Sequence, residues 1–204
     1  KINFYTMVFC YVCLTQKLNT TNESLRVRME DMFMEADRLI SEQKIGEAFT
    51  KLMSITQEMP EFGKAYNHIG WIYETKYKDY PNAEKYYKQA IEYSPDYMAA
   101  YYNYAIVLST LQKWDELTAL LNKALEVPGI NKSTIQNEFA IMYEAQGKYN
   151  EAINAYDNAI SLDPYDSNAY KNKGLSLYIL CRYNEAIDAC NKAISLFPYN
   201  SNAY

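Results

Sequence analysis

Few side chains in this sequence can do chemistry on their own. His68 is the sole histidine in 204 residues, which leaves little room for histidine-based catalysis or multi-histidine metal sites. It stands beside Asn67 with no Ser, Cys or carboxylate at a diagnostic spacing, and reads as a satisfied surface or groove residue. Cys10 and Cys13 form a C-x-x-C pair, and Cys181 and Cys190 follow near the other end. Such a set can bind zinc or cycle as a dithiol. The first pair, however, lies in an apolar run without turn glycines or flanking charge, and Cys190 falls in a recurring packing column described below. No metal, cofactor or redox role is expected. Asn19-Thr20-Thr21, Asn22-Glu23-Ser24 and Asn131-Lys132-Ser133 fit the glycosylation pattern, which matters only in a secreted eukaryotic protein.

Composition narrows the field further. A net charge of -5 and a pI near 5.0 argue against nucleic-acid binding, which needs clustered Lys and Arg. An apolar share of 49% is enough to bury a core, and six glycines with six prolines are too few for a turn-rich β protein. Tyrosine is the odd count, at 22.

The elements that would position these residues are marked by proline. Pro60, Pro95, Pro128, Pro164 and Pro198 follow one another at 35, 33, 36 and 34 residues, a period that signals repeats. Four columns keep the same step. A small residue recurs at Ala36, Gly70, Ala105, Ala140 and Gly174. The others are Ala48, Ala83, Leu117, Ala152 and Ala186, then Leu52, Tyr87, Leu121, Tyr156 and Cys190, and finally Ile55, Ala90, Ala124, Ala159 and Ala193. Within each unit the spacing is helical, as in Ile153, Tyr156, Ala159 and Ile160. Breakers such as Gln146-Gly147-Lys148 split each unit into two antiparallel helices, and proline closes the second. One extra residue between Gly70 and Ala83 is placed in the turn Lys76–Pro81. Another falls in the loop from Val127 to Lys132.

These columns resemble the tetratricopeptide repeat (TPR) family over Met29 to Asn200. The clearest match is Tyr149-Asn150-Glu151-Ala152-Ile153 beside Tyr183-Asn184-Glu185-Ala186-Ile187. The resemblance implies an all-α, right-handed superhelical solenoid of five helix-turn-helix units, at 29–62, 63–97, 98–132, 133–166 and 167–200. Residues 1–28 read as an apolar N-terminal segment, which is too short to span a membrane, followed by a polar linker over Thr15 to Leu25. Residues 201–204, Ser-Asn-Ala-Tyr, repeat Ser167-Asn168-Ala169-Tyr170 and read as the start of a truncated sixth unit. The array is expected to be a fragment, or else to stack on another copy. The cytoplasm is the expected compartment, with the apolar segment read as a packing element or as a signal or anchor remnant.

The resemblance also implies that the first helices of successive units line a concave groove for a partner peptide. By register, the groove residues are Asn67, Trp71, Tyr102, Asn103, Asn137, Ile141, Lys171 and Asn172. Phe33, Asp37, Lys64, Glu74, Ile106, Glu144, Asn168 and Leu175 stand beside them. Asn103 and Asn172 share one column and resemble the asparagine ladders of some relatives. Asn67 and Asn137 stand one residue off it. An amide both donates and accepts, so it can pair with a peptide backbone of any sequence. The basic residues of a carboxylate clamp are absent. The expected function is therefore a non-catalytic scaffold whose mildly acidic groove binds a protein or peptide. The competing readings are a self-stacking structural element and the targeting arm of a larger enzyme.

Overall fold

No glycine or proline interrupts the first 45 residues, and the backbone runs there as one long helix, α1 (Phe4–Ser41). The expected linker over Thr15 to Leu25 is thus helical, because polar composition without a breaker does not end a helix. The computed structural model describes residues 4–196, with side chains from residue 22 onward. The expected sixth-unit start at 201–204 and the thiols of Cys10 and Cys13 lie outside the described residues. Among the described residues no helix is long and apolar enough to cross a membrane.

The chain forms two compact units, Lys1–Ser94 and Pro95–Tyr204. In the first, α1 pairs with α2 (Ile45–Glu58), and α3 (Gly63–Ile72) pairs with α4 (Tyr80–Tyr93). The second contains α5 (Met98–Thr110), α6 (Trp114–Glu126), α7 (Lys132–Ala145), α8 (Tyr149–Leu162), α9 (Ser167–Ile179) and α10 (Tyr183–Leu196), again paired in sequence. This is the all-α helical-repeat fold that the columns imply.

The columns are the packing. Ala36, Ala105 and Ala140 are buried, as are Ala48, Ala83, Leu117, Ala152 and Ala186 opposite them. Small residues there let the paired helices approach. A Cβ added at Gly70 would sit 2.8 Å from the ring of Tyr87, and one at Gly174 would sit 2.7 Å from Cys190 Sγ. Tyr87 and Tyr156 are wholly buried in the third column. Cys190, expected in the core by its place in that column, is exposed.

The first unit's core joins Met29, Phe33, Leu52, Ile55, Ile69 and Ile72. Beside it the rings of Tyr73 and Tyr86 stack at 5.4 Å, and those of Tyr66 and Tyr93 at 5.1 Å. Ion pairs tie α1 to its neighbours, Lys51 to Glu35 at 2.5 Å and Lys64 to Glu30 at 3.1 Å. In the second unit, Leu177 of α9 packs with Ile153 of α8 and with Ala186 and Ala189 of α10.

The turns inside the pairs obey a rule of their own. Gln43, Lys78, Gln112, Gly147 and Cys181 all adopt positive φ, between 55° and 71°. Each closes the first helix of its pair in the left-handed conformation that glycine best tolerates, yet only one of them is glycine. The extra residue expected in the turn Lys76–Pro81 is accommodated earlier, as a π-helical turn over Tyr73–Tyr77 that continues α3. A π turn absorbs one residue without breaking the helix. Asp79, Asn131 and Asp166 cap α4, α7 and α9 through their side chains, each accepting from backbone N–H groups of the first turn.

Candidate functional site

The expected groove residues fall into both units. In the first, Asn67 is only 3% exposed and belongs to the buried face of α3, so it offers little to a ligand. Phe33 is likewise core. Its ring meets the edge of His68 at 4.7 Å. His68 is held at both nitrogens, with Nε2 3.0 Å from Asp37 Oδ1 and Nδ1 3.1 Å from the Lys64 carbonyl. Trp71 is half-buried against the core, and Lys76 Nζ sits 5.6 Å above its ring. Glu74 accepts a 2.6 Å hydrogen bond from the Tyr87 hydroxyl. Burial first, then this carboxylate, lifts the Tyr87 pKa far above the ordinary tyrosine value.

The second unit presents a more open arrangement on α5, α7 and α9. Ile106, Ile141 and Leu175 each stand one residue after the small column, and they are 40%, 40% and 57% exposed. Tyr102 on α5 is 45% exposed. These make an apolar row on successive first helices. Asn103 and Asn172 stand two residues before the small column and are half-buried. Asn172 and the exposed Lys171 border a cleft of about 500 Å³ between α9 and α10, whose apolar walls include Leu175, Tyr178, Tyr183 and Ile187. Asn137 is otherwise engaged. Its Nδ2 donates to Asp166 Oδ2 at 2.6 Å, joining α7 to the cap of α9, while its buried Oδ1 has no partner. Of the two asparagines one residue off the ladder column, the fold buries Asn67 and ties Asn137 to the cap of α9.

Register also hides a residue that sequence reasoning passed over. Glu138 occupies the same column as Asn103 and Asn172, two residues before Ala140. It faces a cleft of about 150 Å³ between α5 and α7, and burial pushes its pKa up to about 7. Its place in the ladder column was the available signal. Near it the hydroxyl of Tyr156 is buried without a well-formed hydrogen bond, close to Glu144 and Asn172. Burial, and then the Glu144 charge, hold the Tyr156 pKa well above the ordinary value. Glu144 itself accepts from Ser176 Oγ at 2.5 Å.

Paired helices that repeat every 34 or so residues over columns of small and aromatic side chains define a helical-repeat protein. The Tetratricopeptide repeat family matches at residues 63–97 and 167–200, and a TPR repeat model matches at 142–180. The chain carries tetratricopeptide repeats over these segments, and such repeats support a role as a protein-interaction scaffold. No curated protein matches the sequence. Among solved structures it is similar to YrrB, described as a TPR protein with an unusual peptide-binding site. That likeness is at 20% identity, over 84% of this chain and 88% of that one, with a TM-score of 0.56. It is similar also to PilF of Pseudomonas aeruginosa, at 13% identity over 88% and 81% of the two chains and a TM-score of 0.71. PilW, a type IV pilus biogenesis factor, matches at 19% identity over 82% and 77%, with a TM-score of 0.67. At these identities the likeness speaks for the fold alone.

Proposed function

We propose that the second unit holds an extended segment of a partner protein against α5, α7 and α9, without catalysis. The observation that carries this reading is the parallel course of two rows on those helices. Apolar Ile106, Ile141 and Leu175 run beside polar Asn103, Glu138 and Asn172. An apolar row supplies area for burial, and the two amides of the polar row supply donors and acceptors for a peptide backbone. In the first unit, Trp71 occupies the corresponding register position on α3.

A random octapeptide library displayed on phage tests the reading. Selected peptides should bind the chain and lose affinity for both Ile141→Glu and the double substitution Asn103→Ala, Asn172→Ala, with helicity retained. Unchanged affinity in the double variant would remove the ladder from the account.

A second reading, self-association, is favoured by the cleft of about 500 Å³ on α9 and α10 and the exposed Tyr178, Tyr183 and Ile187 around it. Contiguous apolar surface of this kind marks interaction sites. Mass measured by light scattering across concentration separates the two, since a monomer throughout excludes self-assembly.

A further inference from the structure

The cleft between α5 and α7 contains one ionisable group. Its walls are Ile106, Ser109 and Thr110 of α5, Leu117 of α6, and Ile141 and Met142 of α7, with the Glu138 carboxyl among them. Thr110 spends its hydroxyl proton on the Ile106 carbonyl, at 2.8 Å. Among the described residues Glu138 accepts no hydrogen bond and forms no ion pair, and burial alone accounts for its raised pKa. A carboxylate kept half-buried without a partner is costly, and a cation that enters the cleft removes that cost. A lone carboxylate among apolar walls lacks the oxygen donors that a divalent metal requires. An ammonium or guanidinium on an aliphatic stem matches both the charge and the walls.

We propose that this cleft is a specificity pocket for a Lys or Arg side chain of the bound peptide, with Glu138 as its counter-charge and an aliphatic neighbour of that residue on Ile106 and Ile141. The proposal rests on the reading of α5, α7 and α9 as the peptide-binding face. The cleft's volume of about 150 Å³ admits one extended side chain and not a helix. The charge that meets the peptide is tunable by pH. Tyr156 on α8 feels the charge of Glu138 directly, and also that of Glu144 farther along α7. The walls from α5 and α6 carry no charge. Glu138 is therefore the group that titrates in the neutral range on this surface, and basic peptides bind more tightly as pH rises through about 7.

The same octapeptide library decides the matter, screened on the wild-type chain and on Glu138→Gln. Wild type should enrich Lys or Arg beside Leu, Ile or Met. The selected peptides should bind Glu138→Gln about tenfold more weakly at pH 8, the usual size for a charged hydrogen bond, with the gap closing by pH 5.5. Thr110→Lys, which places an ammonium in the cleft from within, should exclude basic peptides while the helices stay folded by circular dichroism. Selected peptides with no basic residue, or basic peptides bound equally by Glu138→Gln at pH 8, overturn this inference. If such peptides still lose affinity for Ile141→Glu, the binding face stands and only the pocket falls. If no peptide is enriched at all, both fall.

Discussion

Ile153 and Ile187 hold the same place in neighbouring helix pairs, yet Ile153 is 4% exposed and Ile187 is 58% exposed. The difference is Leu177, which α9 lays over Ile153, while nothing described covers Ile187. Ile153→Ala should cost about 2–4 kcal/mol in urea denaturation, and Ile187→Ala no more than about 0.5 kcal/mol. Equal costs would mean that the outer face of α10 is covered in solution, and would favour the self-association reading.

Gly70 and Gly46 offer a matched pair of substitutions. Alanine is the better helix former by about 1 kcal/mol, so an unobstructed Gly→Ala change stabilises. A Cβ at Gly46 meets nothing within 4 Å, whereas one at Gly70 meets the buried Tyr87 ring at 2.8 Å. Gly46→Ala should raise the melting temperature. Gly70→Ala should lower stability by about 1–3 kcal/mol, the usual range for overpacking. A stabilised Gly70→Ala would show that the Tyr87 ring is free to retreat.

The left-handed turn column predicts the reverse sign. Lys78, Gln112 and Cys181 adopt φ values of 55° to 59° without glycine's tolerance for them. Replacing Gln112 or Cys181 with Gly should stabilise by about 1 kcal/mol, and Gly147→Ala should destabilise by a similar amount. Chemical denaturation of the three variants is sufficient to check this.

Glu138 makes stability depend on pH in an unusual direction for a carboxylate. Its folded pKa, about 7, lies above the ordinary 4.5. Between those values the folded chain holds a proton that the unfolded chain has released, so stability falls as pH rises through this window. The accumulated loss above pH 7 is on the order of 2–3 kcal/mol. Glu138→Gln should therefore be more stable than wild type at pH 8 and no different at pH 4. A gain that persists unchanged at pH 4 would point to packing instead of charge.

Much of this architecture can be read from the chain because each column records a contact made once per repeat. Ala140 opposite Ala152, with Tyr156 filling the space between helices, is the same statement five times over in different letters. What the columns do not record is depth and partnership. Asn67 and Asn103 differ by a single step of register, but a step of about 100° around a helix turns one into the core and leaves the other half-buried. Asn137 looked like a ligand group because its tie to Asp166 spans 29 residues, beyond any local pattern. Cys190 kept the address of a core residue and lost its cover. The π turn at Tyr73–Tyr77 announced itself only as one residue too many.

That surplus residue has an effect on how such arrays can change. Because it is taken up inside α3, Asp79 still caps α4, and Ala83 and Tyr87 still lie buried in their columns. A single-codon insertion at this point is thus discharged within one helix, and α4 inherits no error in phase. Repeats of unequal length can then coexist in one gene, and recombination between them need not respect an exact 34-residue ruler.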